Sequence, residues 1–178
     1  MVRRAGLAPS IDNSQAWRFI AITNHELLNH MAFAVSRSIS ELPVQDKDDA
    51  NRSVLSRVEW FSTFFRDAPA VIAVAMHQYE CALEKGAEVS HEDYSRMSNY
   101  PEIQSAGAAV QNILLTAVEL GYGACWLSAP LIAKNELQKQ MKLDFPWNLI
   151  TMVAIGRPFN HPARASKKSI EEIFEVIS

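Results

Sequence analysis

The sequence is poor in residues that would carry several common chemistries. Its two cysteines, Cys81 and Cys125, are too few for a disulfide framework and cannot by themselves make a zinc site. Reduced thiols in the cytoplasm are the default expectation. A charge excess of either sign is missing too: 17 Lys and Arg against 20 Asp and Glu leave a net charge of −3. A sequence-independent nucleic-acid binder needs a basic surface, and the only basic cluster is Arg164, Lys167 and Lys168 near the C-terminus. The longest clearly apolar run, Ala68 to Met76, is too short to cross a bilayer as a helix. Met1-Val2-Arg3-Arg4, followed by a short apolar stretch, does not read as a signal peptide. The expectation is a soluble intracellular protein without a nucleic-acid or membrane partner.

Familiar catalytic motifs fail on spacing. There is no G-x-x-x-x-G-K-[ST], no G-x-S-x-G and no H-E-x-x-H. Gly121-x-Gly123 lacks a third glycine, and it follows a helix where a dinucleotide fingerprint follows a strand. None of the five histidines has metal-like spacing to another histidine or to a cysteine. His91-Glu92-Asp93 reads as a solvated loop.

What is present is ordinary globular material: 178 residues, 48% apolar and 21% charged. That is enough for one domain with a core of normal size. Residues 1–8 read as the tail of a helix stopped by Pro9, since the residue before proline is pushed out of the helical region. Residues 10–14 read as a turn-rich loop, and Arg18 to Thr23 as a strand. Asn24 is a good cap for a helix to about residue 40, with Leu27, Leu28, Met31, Ala34 and Val35 at helical spacing. A second helix covers Ala50 to Phe65, after an acidic loop at 43–49. Ala70 to Met76 is a continuous apolar run, as in a strand covered on both faces.

Residues 77–100 read as a lid, or as a weak helix plus loop. Pro101 then opens a helix to Leu120, apolar nearly all round and therefore expected to be buried on most faces. Gly121 to Gly123 closes it. A strand at Ala124 to Leu127, an amphipathic helix at Ala133 to Met141 and a buried strand at Leu149 to Ile155 follow. Residues 160–169 form a basic loop, and Ser169 caps a short C-terminal helix. The order predicts an α+β fold.

Three stretches hold candidate binding groups. Ala8 to Trp17 presents a hydroxyl and two amides on a tight turn, groups suited to the edge of a planar, hydrogen-bonding ring. The residues alone favour the plainer reading, a capped turn that leads Trp17 into the core. Gly121 to Pro130 offers close backbone approach at a strand end, or simply a helix cap and a core strand with Cys125 buried and inert. Arg157, Arg164, Lys167 and Lys168 form either a phosphate site or a solvated basic loop.

Taken together and in this order, the three stretches resemble the nitroreductase-like flavoproteins. The family turn A-P-S-x-x-N-x-Q-P-W stands here as Ala8-Pro9-Ser10-Ile11-Asp12-Asn13-Ser14-Gln15-Ala16-Trp17. The helix ending G-x-G-x-x-W is Gly121 to Trp126, and the G-x-P turn is Gly156-Arg157-Pro158. The resemblance implies an α+β sandwich, a mostly antiparallel sheet flanked by helices, working as an intertwined homodimer with FMN at the interface. It implies FMN contacts from the turn holding Pro9, Ser10, Asn13 and Gln15, reaching across that interface. Further contacts would come from Ser105, from the backbone at Leu127, Ser128 and Ala129 near flavin N5, and from Arg164 or Lys167 at the phosphate. NADH or NADPH would supply hydride in a ping-pong cycle, and a nitroaromatic, quinone or related small acceptor would remove it. No side chain is implied as catalytic.

One departure from the family is plain. Members carry an R-R-S-x-R segment well before the turn, which holds the phosphate. Arg3 and Arg4 of this sequence lie in the helix just before the turn and are not its equivalents. Either the chain is a shortened version or its start lies upstream; if the segment is lost, two or more missing charge-assisted contacts would weaken FMN by orders of magnitude. The alternative expectation is therefore a flavin- or small-ligand-binding dimer without turnover. The domain reading is one unit over 1–178, with 77–100 as lid or insertion and 160–178 as a C-terminal arm.

Overall fold

The computed structural model describes residues 1–43, 49–160 and 165–177. Its centre is an antiparallel sheet. Among the described residues it has four strands: β1 (Trp17–Ile22), β2 (Ala70–His77), β3 (Gly123–Leu127) and β4 (Trp147–Gly156). Their spatial order is β1-β2-β4-β3, and every neighbouring pair is antiparallel.

Helices cover both faces, so the central strands are apolar on both sides. Ala73 and Ala75 of β2 point to a core shared with Leu28, Met31 and Val35 of α2 (His25–Ser40) and with Leu137 of α7 (Lys134–Gln140). The alternating residues Ile72, Val74 and Met76 point to a second core, with Ala5 of α1 (Val2–Ala5) and Ala109, Val110 and Ile113 of α6 (Pro101–Glu119). This double burial is why residues 70–76 read as an unbroken apolar run. The β2–β4 register slips between Val74 and Ala75, which face Thr151 and Leu149, so Ile150 is an extra residue on β4.

Local signals set the helix ends. The Asn24 side chain accepts from the Leu27 amide at 3.0 Å and starts α2. Pro101 opens α6. Gly121, at φ +76°, adopts the left-handed turn that ends it, with the Tyr122 amide donating to the Ala117 carbonyl at 2.8 Å.

The structure corrects several expectations. The helix α6 is not buried on most faces: Ile103, Leu115, Val118 and Leu120 are all more than half exposed. The second helix, α3 (Asp49–Thr63), ends in a 3-10 turn that buries Phe65, while Val54, Val58 and Phe61 face outward. Residues 77–100 hold two short helices, α4 (Ala82–Gly86) and α5 (His91–Met97), so His91 does not sit in a loop. Among the described residues there is no C-terminal helix. The Ser169 amide does bond to the Glu172 carboxylate at 2.9 Å, but only an exposed turn follows, because no apolar face packs against the rest of the chain. The acidic loop expected at 43–49 lies mostly outside the described residues. Among those described, no helix is long and apolar enough to cross a membrane.

Candidate functional site

The turn before β1 is built by three non-glycine residues in left-handed conformations: Asp12, Asn13 and Gln15, at φ 47°, 53° and 48°. Such backbone is costly unless its surroundings hold it. Here the Ser10 hydroxyl accepts from the Gln15 amide at 3.0 Å and closes the turn. The Asp12 carboxylate accepts from the Ala82 amide at 3.2 Å and ties the turn to α4.

Ser105, buried on the first turns of α6, donates to the Pro101 carbonyl at 2.8 Å and accepts from the Ile11 amide at 3.4 Å. Pro9, Ser10 and Ser105 thereby line one cleft of about 350 Å³, together with Gln104 and Ala108. Asn13 and Gln15 sit exposed in the same turn. The Ser14 hydroxyl is buried there without a hydrogen-bond partner. A cleft beside a turn with two exposed side-chain amides suits a polar heteroaromatic edge.

The other expected site residues lie elsewhere. Leu127 is buried at the end of β3, while Ser128 and Ala129 are exposed where the chain enters a 3-10 turn. Because β1 and β3 are opposite edges of the sheet, three strand spacings, about 14 Å, separate their axes. The Ser10 turn and the Ser128 backbone therefore stand beside opposite edges of one chain's sheet. Lys167 is exposed on the C-terminal arm, and Arg164 lies outside the described residues.

Sequence reasoning missed Thr151. Its hydroxyl, buried in β4, accepts from the Trp126 indole at 2.7 Å and donates to the Leu127 carbonyl at 2.8 Å, which fixes the end of β3. The signal was available: a lone hydroxyl inside the apolar run Leu149 to Ile155 must find partners. A Cβ on Gly107 of α6 would meet the same indole at 3.5 Å, an ordinary van der Waals contact, so the ring packs close against the helix there.

Cys125 was expected to be buried, and it is exposed, because β3 is an edge strand. Partial burial still pushes its thiol upward. Cys81 is the buried thiol. Arg4 pairs with Glu119, and its carbonyl accepts from Asn112 at 3.0 Å, so this arginine anchors α1 to α6. Among the described residues, no group of His, Cys, Asp and Glu side chains is arranged to hold a metal ion.

Known proteins share this fold. A BluB-like flavoprotein from Clostridium difficile 630 superposes with a TM-score of 0.84 and is 29% identical, covering 99% of this chain and 86% of that one. A nitroreductase with bound FMN from Desulfitobacterium hafniense DCB-2 superposes with a TM-score of 0.71 at 20% identity, covering 99% and 84%. A protein of Archaeoglobus fulgidus with the provisional name NADH dehydrogenase/NAD(P)H nitroreductase is 28% identical over 165 residues, which is 89% of this chain and 70% of that protein. The nitroreductase family model matches residues 1–157, and the chain belongs to the nitroreductase family.

Proposed function

We propose that this protein is an FMN-dependent NAD(P)H oxidoreductase that works as a homodimer and reduces nitroaromatics, quinones or related small acceptors in a ping-pong cycle. The observation that carries the reading is the split site. The Ser10–Ser105 cleft and the Leu127–Ala129 backbone stand at opposite sheet edges of one chain, as the two halves of a site completed by a second copy would. Two exposed apolar surfaces support that pairing: the outer face of α6, and the arm at 165–177 with Ile170, Ile173, Phe174, Val176 and Ile177.

In this reading Ser10, Asn13 and Gln15 hold polar edges of the flavin from one protomer. Pro9 shapes the turn, and Ser105 braces it from α6. The backbone at Leu127, Ser128 and Ala129 approaches the reactive ring from the other protomer, and Lys167 or Arg164 meets the phosphate. Bound FMN would supply the hydride chemistry at its N5. Thr151 and Trp126 hold the β3 end in place, and apolar walls keep water out. The same reading places the protein in the cytoplasm, which the unpaired thiols of Cys81 and Cys125 accommodate.

The test is an anaerobic near-ultraviolet and visible spectrum of the purified protein, before and after FMN and then after NADPH or NADH. A bound flavin spectrum that bleaches on adding nicotinamide supports the oxidoreductase. A bound flavin that never bleaches points to the binding protein without turnover. No retained flavin at saturating FMN overturns the cofactor assignment.

A further inference from the structure

Outside this site, the structure holds a three-part ionic cluster that joins α4, α5 and α6. The Glu84 side chain is 3% exposed and spends both oxygens: Oε2 accepts from the Cys81 amide at 2.7 Å, and Oε1 lies 2.7 Å from His91 Nδ1. The other ring nitrogen, Nε2, lies 3.4 Å from Glu102 Oε1, on a side chain 12% exposed. That oxygen is buried and has no hydrogen-bond partner. The Ser95 hydroxyl lies 3.3 Å from the same Nε2.

The proton count follows from the donors available. A carboxylate only accepts, so the 2.7 Å contact to Glu84 puts a proton on Nδ1. In neutral imidazole Nε2 is then a lone pair, and it faces an anionic oxygen that lacks a donor. Only the imidazolium serves both carboxylates. In the neutral ring the Ser95 hydroxyl turns to donate to Nε2, and Glu102 is left without a partner.

Other charged and titratable groups nearby are engaged elsewhere or lie across a cavity. Glu92 pairs with Arg96, Asp93 accepts from Ser90, and Lys85 lies over the Tyr79 ring. Lys134 of α7 and His77 of β2 line the cavity of about 380 Å³ that His91, Ser95, Tyr100 and Glu102 also line. His91 opens α5, where the helix dipole disfavours a cation. On so short a helix, two carboxylates within 4 Å outweigh that effect.

We propose that His91 is a proton-operated latch. Charged, it fastens α4–α5 to the N-terminal turn of α6 and holds one wall of the cavity in place. Neutral, it keeps Glu84 and lets go of Glu102, so α4–α5 loosens from α6 and the cavity opens. The latch is closed while the ring carries both protons and released when Nε2 loses its proton, so higher pH favours release.

The test is hydrogen exchange of the full chain, read by mass spectrometry at about pH 5.5 and about pH 8 and corrected for intrinsic rates. In the wild type, amides of 82–97 are expected to exchange on the order of tenfold more slowly at the lower pH, the size of one charge-assisted hydrogen bond. Peptides from β2 report global folding. His91→Gln is expected to give fast exchange at both pH values, and Glu102→Gln to lose most of the pH dependence. Equal corrected exchange in the wild type, or a pH dependence that survives His91→Gln, overturns the latch and points to His77 or another group. If His91→Gln does not fold, ring-nitrogen NMR of the wild type decides. A His91 that never carries both protons at the lower pH refutes the proposal, and a doubly protonated ring whose loss tracks the shifts of α5 amides supports it.

Discussion

Replacing Thr151 with valine isolates what one buried hydroxyl does for the end of β3. Valine has nearly the same shape, so no cavity term enters. What goes is the pair of bonds at 2.7 and 2.8 Å that link the Trp126 indole and the Leu127 carbonyl through Thr151 Oγ1. Each is worth about 1 kcal/mol net, and the desolvation of the two groups left behind pushes the sum toward 2–3 kcal/mol. The strand preference of valine returns a few tenths of that. The expected cost is about 2 kcal/mol, or a drop in Tm of about 4–8 °C for a chain of this size. Urea unfolding should show a lower midpoint with an unchanged m value. A double-mutant cycle with Trp126→Phe should give a coupling energy of about 1 kcal/mol. A Thr151→Val variant within about 0.5 kcal/mol of wild type would refute the reasoning, because the hydroxyl would then be no more than a spectator.

Three further outcomes follow from particular environments. Gly121→Ala meets no neighbouring atom but must hold φ +76°, so it should cost about 1 kcal/mol in urea melts. Phe65→Ala, at a side chain with no exposure, should cost about 3–5 kcal/mol by the same assay. In the native apoprotein, iodoacetamide should label Cys125 and spare Cys81, as read by peptide mass spectrometry. Because partial burial raises the Cys125 thiol, labelling should be slow at neutral pH and quicken as pH rises, since the thiolate is the reactive form.

The elements that were legible in the sequence are those whose cause is local. Asn24 and the spacing of Leu28, Met31 and Val35 define α2, and Pro101 and Gly121 bracket α6. The run at 70–76 announces a strand covered on both faces. What escaped depends on partners distant in the chain. Glu84, His91 and Glu102 show no periodicity, and only the packing of α4, α5 and α6 makes them one cluster. A helix apolar all round reads as buried, yet in a single chain the Leu115 and Val118 side of α6 has nothing to cover it. Ser169 and Glu172 form a local cap, which nucleates a turn but cannot sustain a helix without packing. For the site, the turn chemistry of Ser10 to Gln15 was readable, whereas its separation from Ser128 required the strand order.

The extra residue on β4 has a consequence for how this sheet tolerates change in length. Beyond it, Met152 and Ala154 face the α2 side and Val153 and Ile155 the α6 side. Before it, the parity is inverted: the odd-numbered Leu149 joins the α2 side and the even-numbered Ile150 packs on the α6 side. The bulge is a frame shift written in space rather than in codons. Deleting Ile150 would join Leu149 on the α2 side directly to Thr151 on the α6 side, so strict alternation would return with every remaining residue keeping its face. Away from the bulge, only the removal of two neighbouring residues would keep the frame on both sides. A single deletion in this strand should therefore be tolerated at the bulge or at the ends, and elsewhere deletions should come in pairs.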